Sequence, residues 1–115
     1  MKAKTIYVTL GIALLSLTTV FGQSKTEKFK VNGKCGMCET RIEKAAKSVD
    51  GVTTADWDQK TMFIEVSYDP AKTDLQKIEQ AIAKVGHDTD KCRAKDETYN
   101  SLPGCCKYDR EPVEK

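Results

Sequence analysis

The sequence predicts an α+β domain, with a four-stranded antiparallel sheet and two helices on one face. Strand-like and helix-like hydrophobic patterns follow one another in the order β-α-β-β-α-β over about 65 residues. Each helical pattern has a single apolar stripe, so both helices should cover the same face of the sheet. From residue 93 onward charged and polar residues dominate, which predicts an irregular C-terminal tail. The predicted arrangement is the ferredoxin-like split βαβ fold.

The first predicted strand and the first predicted helix meet at a short loop. Residues 25–32 alternate weakly, with Phe29 and Val31 on one face, and predict a strand. Over residues 38–49, apolar side chains recur at the spacing of one helix face. These side chains are Ile42, Ala45, Ala46 and Val49. Gly51 then ends the predicted helix.

Two more strands and a second helix follow. Residues 52–57 are rich in β-forming side chains, and residues 62–68 alternate clearly, so both predict strands separated by a polar turn. A second apolar stripe predicts a helix over residues 74–85. Thr73 is the candidate N-terminal cap of this helix, and Gly86 is its stop signal.

The N-terminal segment has the layout of a secretory signal peptide. Lys2 and Lys4 precede an uncharged, mostly apolar run over residues 6–20, and cleavage is expected after Gly22. The run is shorter than the roughly 20 apolar residues that a spanning helix requires. We therefore expect export, most simply to the periplasm, rather than a retained membrane anchor. The two lysines account for the formal net charge of +2, so the mature chain is about neutral and gives no indication of nucleic-acid binding.

Cys35 and Cys38 are separated by two residues and lie where the first strand gives way to the first helix. Thiolates are soft ligands that select Cu(I), Zn(II) or Hg(II) over hard cations. Two thiolates suit the linear coordination that Cu(I) and Hg(II) accept, whereas a structural Zn(II) site usually needs four ligands. A thiol in the first turn of a helix, such as that of Cys38, is expected to have a lowered pKa because it lies near unpaired backbone N–H groups.

The same two cysteines also permit a redox interpretation. All 5 cysteines follow the predicted signal peptide, and in an oxidising compartment unprotected thiols tend to pair. An odd number leaves one unpaired unless the chain binds metal or dimerises, so we expect a monomer or a dimer linked by metal or a disulfide. The run Cys-Gly-Met-Cys resembles the thioredoxin-type motif. However, all 3 prolines lie in predicted loop or tail, and a thioredoxin fold would place one in a strand facing the disulfide.

The motif around these cysteines resembles that of the heavy-metal-associated domain. The matching features are V-x-G-x-C-x-x-C-x-x-x-I-E-x-A over residues 31–45, Gly51-Val52 and Val85-Gly86-His87. This family includes small copper chaperones, the metal-binding modules of copper-exporting membrane ATPases and the periplasmic mercury-binding protein. The resemblance implies that Cys35 and Cys38 bind Cu(I), or Hg(II) as in the mercury proteins, and that the ion is passed to a partner.

The chain departs from that family pattern in two respects. The family loop usually carries a methionine before the first cysteine, whereas here the loop is one residue shorter and Met37 lies between the two cysteines. A tail with two adjacent cysteines is also not part of the basic pattern. We therefore assign residues 1–22 to the signal peptide, residues 25–92 to the heavy-metal-associated domain and residues 93–115 to a cysteine-containing tail.

Three further residues are candidates for the metal site. His87 is the only histidine and starts a short last strand predicted over residues 87–92. The second helix runs back towards the metal loop, so His87 should lie beside Cys35 as a third ligand or a hydrogen-bond donor. A disulfide between Cys105 and Cys106 is not expected, because the Cα atoms of neighbouring residues are closer together than those of disulfide-bonded cysteines usually are. The tail is long enough to bring them back to the loop.

The tail cysteines leave two outcomes open. In one, the tail docks over the metal loop and adds thiolates to the ion, which would make the protein a buffer rather than a shuttle. In the other, Cys92 forms a disulfide with one tail cysteine and the ion keeps two ligands. Cys92 itself should lie too far along the last strand to bind the same ion.

Together these observations predict a metal carrier rather than an enzyme, because no general base or nucleophile constellation is visible. The protein would capture Cu(I) through Cys35 and Cys38, and pass it to, or buffer it for, a metal-transporting envelope protein. A periplasmic Hg(II) scavenger with the same ligands is the near alternative, and a thiol-disulfide redox protein is the more distant one. Zn(II) is a third candidate ion.

Overall fold

The computed structural model describes residues 24–111, so the predicted signal peptide lies outside the described residues. The elements of the α+β prediction occur in the expected order, up to the second helix. The strands are β1 (Lys25–Lys30), β2 (Val52–Trp57) and β3 (Phe63–Tyr68), and the helices are α1 (Gly36–Lys47), α2 (Leu75–Lys84) and α3 (Asp96–Asn100). A 3-10 turn, Gly104–Cys106, follows α3.

The sheet is antiparallel, with β3 between β1 and β2. Ile64 of β3 pairs with Phe29 of β1 and with Trp57 of β2, and all three side chains are buried. Because alternate residues of a strand point to opposite faces, this register gives the sheet one apolar face. The exposed face carries residues such as Lys28 and Glu65.

The prediction of four strands is wrong for the described residues, where the sheet has three. Residues 87–92 contribute a single antiparallel bridge, between Thr89 and Val31. The chain turns away immediately afterwards, because the Thr89 N–H donates to the Cys92 carbonyl at 2.8 Å and the Cys92 N–H donates to Thr89 Oγ1 at 2.9 Å. This local turn uses backbone groups that a longer ladder would need.

The helix starts differ slightly from the predicted ones. Helix α1 begins at Gly36, with Cys35 as its cap. Helix α2 is capped by Asp74 rather than by Thr73, because the Asp74 carboxylate accepts a hydrogen bond from the Lys77 N–H at 2.9 Å. The Thr73 hydroxyl is buried and has no hydrogen-bond partner among the described residues.

The core lies between the sheet and helices α1 and α2. Ile42 and Ile82, one from each helix, are fully buried. The tail takes part in the same core, since Leu102, Cys106 and Tyr108 are also buried. The segment predicted to be irregular therefore contains a short helix and packs on the domain. Within residues 24–111, no helix has the length and apolar character needed to cross a bilayer.

Candidate metal centre

The loop before α1 is positioned by its packing on β2. A Cβ atom on Gly33 would lie 2.9 Å from the Trp57 ring, so this position accepts only a residue without a side chain. The Trp57 indole N–H donates to the Val31 carbonyl at 3.0 Å, and the Gln59 amide donates to the Lys34 carbonyl at 3.0 Å. These contacts fix the backbone on the N-terminal side of Cys35.

Cys35 and Cys38 lie at the start of α1 with their sulfur atoms close together. Cys35 adopts an extended backbone as the cap of the helix, and its carbonyl accepts the Cys38 N–H at 3.0 Å. The two Sγ atoms are 3.7 Å apart. Cys38 is fully buried and Cys35 is half-buried, so solvent reaches the pair from the side of Cys35.

The two thiols differ strongly in acidity. The Cys38 backbone N–H is the main group that lowers the pKa of Cys35, from 9.0 to about 7. Burial raises the pKa of Cys38 to about 12. The expectation that the helix start would lower the pKa of Cys38 is therefore wrong, because loss of hydration outweighs the nearby helix N–H groups. Of these two thiols, Cys35 therefore ionises more readily in the metal-free protein.

The tail brings Cys105 and Cys106 to this pair. Cys106 is buried, and its Sγ lies 3.6 Å from that of Cys35. Cys105 is exposed, with its Sγ 3.9 Å from that of Cys106 and 3.6 Å from the Met37 Sδ. The sulfur atoms of Cys35, Cys105 and Cys106 all lie within 4.8 Å of one another. Of the two outcomes left open by the sequence, the structure has the docked tail, and all five cysteines are free.

A cation lies beside this sulfur cluster. The Arg41 guanidinium, on the second turn of α1, donates to Cys106 Sγ at 3.3 Å. Guanidinium groups hold their charge at any ordinary pH, so Arg41 places a positive charge beside the Cys106 sulfur. Sequence reasoning missed Arg41, although its position one turn after Cys38 could have indicated it.

Aromatic and charged side chains that the sequence analysis did not assign to the site hold the tail in place. The Tyr108 hydroxyl donates to the Gly86 carbonyl at 2.8 Å and accepts the Asp88 N–H at 2.9 Å. Arg110 binds both carboxylate oxygens of Asp88, at 2.9 and 2.8 Å. The Tyr99 hydroxyl donates to the Tyr108 carbonyl. Tyr99 precedes Cys106, and Tyr108 and Arg110 follow it closely in sequence, so these anchors limit where its sulfur can lie.

His87 is packed between the loop and the tail. Its ring is fully buried, stacks on Tyr108 at a centroid distance of 5.6 Å, and places Nδ1 2.9 Å from the Asn32 carbonyl. Burial lowers the pKa of His87, which favours the neutral imidazole. The ring is not among the groups whose ligand atoms cluster with Cys35. The structure thus gives His87 a packing role, and ligation by its ring stays a prediction.

Cys92 lies apart from the cluster, beside a different set of residues. It follows the turn at Thr89 and lines a surface groove with Gln80 and Ala83 of α2. Burial raises the pKa of the Cys92 thiol, which favours the protonated form. This position agrees with the expectation that Cys92 does not join Cys35 and Cys38.

Comparison with known proteins identifies the domain. Residues 28–88 match the family model of the heavy-metal-associated domain. The chain is 35% identical to the copper chaperone CopZ of Staphylococcus aureus over 54 residues, which are 47% of this chain and 79% of that protein. Both tail cysteines lie beyond the residues that match the family model.

Solved structures give the same result. Oxidized MerP from Ralstonia metallidurans CH34 superimposes with a TM-score of 0.56 and 32% identity, covering 59% of this chain and 96% of that one. The water-soluble region of the P-type ATPase CopA from Bacillus subtilis gives a TM-score of 0.56 and 36% identity, covering 60% of this chain and 46% of that one. The resemblance seen in the sequence is thereby confirmed, and the chain belongs to the heavy-metal-associated domain family.

Proposed function

We propose that this protein is an exported metal carrier that captures Cu(I) through Cys35 and Cys38. It would then pass the ion to a metal-transporting protein of the cell envelope, or buffer it for that protein. The observation that carries the proposal is the pair of thiols 3.7 Å apart at the start of α1, in a chain of the heavy-metal-associated family. An ion carried in this way is cargo, and the chain acts as a carrier rather than as an enzyme.

The relatives favour copper and leave mercury as the second candidate. One similar protein is named as a copper chaperone, and another is CopA from Bacillus subtilis, solved with copper. Thiolates bind Cu(I) strongly. MerP is comparably similar, and Hg(II) accepts the same two soft ligands. Zn(II) is disfavoured for this pair alone, because it would lack two of its usual four ligands.

The different exposures of the two thiols suggest an order of binding. Cys35 is half-exposed, whereas Cys38 is fully buried, so Cys35 would meet the incoming ion first. Cys38 is buried and would lose its proton only as the metal binds, since metal ligation displaces thiol protons. The half-exposed side at Cys35 is also where a partner's thiolate could attack the ion during transfer.

Replacing both cysteines tests this proposal. In a Cys35→Ser/Cys38→Ser variant, we expect Cu(I) affinity to fall by more than about 100-fold, since even residues that only orient a ligand cost 10–100-fold. Anaerobic titration against a chromophoric Cu(I) chelator measures this, with Cys92→Ser as the matched control. A double variant that binds Cu(I) as tightly as the parent protein contradicts the proposal.

The redox alternative makes a different prediction. A thiol-disulfide oxidoreductase should catalyse reduction of insulin disulfides in the presence of a small thiol, whereas a metal carrier should not exceed the background rate. We expect the background rate for the metal-free protein. Catalysis that is lost in the Cys35→Ser variant would favour the redox function instead.

Export is tested by the N-terminus of the protein recovered from cells. The intact mass of protein from the periplasmic fraction should correspond to a chain beginning at or near Gln23, as the sequence predicts. Recovery of a chain that retains Met1 in the membrane fraction would contradict export with cleavage.

A further inference from the structure

We propose that Cys105 and Cys106 are ligands of the same ion, so that this chain holds its metal with three or four sulfur atoms instead of two. The inference rests on the proposed binding of the ion by Cys35 and Cys38 and deepens it. Cys106 would be the third ligand, and Cys105 the fourth where the ion accepts four. The residues that complete the site thus come from the tail, outside the part of the chain that matches the family model.

The sulfur atoms of Cys35, Cys105 and Cys106 form one close set, and Cys38 joins it through Cys35. Three sulfur–sulfur distances among these cysteines suit a site of three or four ligands. With metal–sulfur bonds of about 2.3 Å, the sulfur atoms are about 3.8 Å apart in a tetrahedral site, about 4.0 Å in a trigonal site and about 4.6 Å in a linear site. The Sγ separations are 3.7 Å for Cys35 and Cys38, 3.6 Å for Cys35 and Cys106, and 3.9 Å for Cys105 and Cys106. All three values lie near the tetrahedral and trigonal spacings and well below the linear one.

The surroundings of Cys106 suit a metal-bound thiolate. The residue is fully buried, and burying a negative charge is costly unless it is paired. One partner is in place, the Arg41 guanidinium 3.3 Å from the Cys106 sulfur. A cation bound between the thiols would be the second. Arg41 would offset part of the excess negative charge that three thiolates leave around a monovalent ion.

Cys105 closes the cluster on its exposed side. Its sulfur lies 3.6 Å from the Met37 Sδ, and Met37 is itself 54% exposed. A bound ion would therefore have sulfur on the side from which solvent, or the thiolate of a partner, approaches. A fourth thiolate suits a divalent thiophilic ion better than Cu(I), because the greater charge of the ion balances one more thiolate.

The backbone on both sides of the tail cysteines is anchored, so the ligands are held in place before the ion arrives. Leu102 is buried against Gly86, and Tyr108 is hydrogen-bonded to the Gly86 carbonyl. Between these anchors the Cys106 N–H donates to the Pro103 carbonyl at 2.8 Å, and the Tyr108 N–H donates to the Cys106 carbonyl at 2.9 Å. Little ordering of the tail should therefore be needed on binding.

X-ray absorption of the Cu(I)-loaded full chain counts the sulfur ligands directly. We expect three or more in the parent protein and two, with shorter copper–sulfur bonds, in a Cys105→Ser/Cys106→Ser variant. Cys92→Ser is the matched control and should keep the parent count. A count of two in both the parent protein and the tail variant overturns the inference.

A second measurement uses the unaltered chain, in case the tail variant does not fold. Alkylation by iodoacetamide, read by mass spectrometry after proteolysis, is compared with and without one equivalent of Cu(I). We expect Cu(I) to slow modification of the tail cysteines and to leave Cys92 unaffected. Unchanged modification rates for both Cys105 and Cys106 overturn the inference.

The two proposals fail in different ways. If Cys35→Ser/Cys38→Ser abolishes tight binding but the parent ion has two sulfur ligands, the carrier function stands and the tail ligation fails. If that variant still binds Cu(I) tightly, the assignment of the family cysteines fails, whatever the tail contributes.

Discussion

The two pairs of cysteines reach the same place in different ways. Cys35 and Cys38 are set by the backbone, since the loop packs on Trp57 and the helix begins at Gly36. The positions of Cys105 and Cys106 are fixed by tail side chains that contact the domain. The tail itself has little regular structure. The first pair belongs to a fold shared by a whole family, whereas the second depends on a few specific contacts of this chain.

This difference indicates where each pair is vulnerable. Cys35 and Cys38 should keep their positions after any change that leaves the junction between the loop and α1 intact. The positions of Cys105 and Cys106 should depend on three kinds of contact between the tail and the domain. These are the apolar burial of Leu102, the hydrogen bonds of Tyr108, and the ion pair of Arg110 with Asp88. If the tail is a true part of the core, breaking these contacts lowers the stability of the whole domain.

Matched truncations in the two regions test this with the largest expected effect. Leu102→Ala in the tail and Ile42→Ala in α1 remove side chains that are 7% and 0% exposed. Each should lower the free energy of unfolding by about 2–5 kcal/mol, as measured by urea denaturation followed by far-UV circular dichroism. A tail that merely lies on the surface would give a loss for Ile42→Ala and almost none for Leu102→Ala.

The sequence predicted the domain better than the tail for a physical reason. Periodic burial of side chains such as Ile42 and Ile82 follows from helix geometry. The positions of Cys35 and Cys38 can be predicted because the two residues lie where a helix pattern begins. Tyr108 and Arg110 fill gaps that other elements leave, and no period indicates such contacts. The prediction of a fourth strand was wrong because a turn at Thr89 competes with strand pairing.

Docking of the tail was predicted from the length of the tail and from the tendency of exposed thiols to react in an oxidising compartment. These arguments allowed both a docked tail and a disulfide with Cys92, and the sequence could not decide between them. The acidity of Cys38 was wrongly predicted because the depth at which the helix packs on the sheet is not visible in the local pattern. The placement of His87 beside Cys35 stays a prediction, and in the structure its ring meets the Asn32 carbonyl. Its burial against Tyr108 depends on the tail and could not be anticipated.

The ion pair between Asp88 and Arg110 should give the next largest effect. Asp88→Asn weakens two charge-assisted hydrogen bonds and should lower the free energy of unfolding near neutral pH by about 1.5–3 kcal/mol. Burial would raise the pKa of Asp88, but the hydrogen bonds from Arg110 and from the Ala94 N–H outweigh it and hold this pKa below its usual value.

The pH dependence of that effect follows from the direction of the shift. A depressed pKa in the folded state contributes stability that is present above the unfolded-state value of about 3.9 and is lost as the pH falls through the lower folded value. The difference between the parent and Asp88→Asn should therefore shrink below about pH 4. Urea denaturation at a series of pH values measures it, with the exposed Asp109→Asn in the same tail as control. A difference that is constant with pH would contradict the role of the ion pair.

The smallest effect is expected at Gly86, where Leu102 of the tail packs against the domain. Gly86 has a φ of +110°, and a Cβ atom there would lie 3.0 Å from the Leu102 side chain. Gly86→Ala should cost about 1–2 kcal/mol from backbone strain, plus the steric part. Gly104→Ala is the control, because its Cβ atom meets open space in the tail, and it should change the free energy of unfolding by no more than about 0.5 kcal/mol.

In a Leu102→Ala background the steric part should vanish, so the cost of Gly86→Ala should fall. An equal cost in both backgrounds would show that Leu102 does not rest on Gly86, and that the tail is held by its other contacts, such as those of Tyr108 and Arg110.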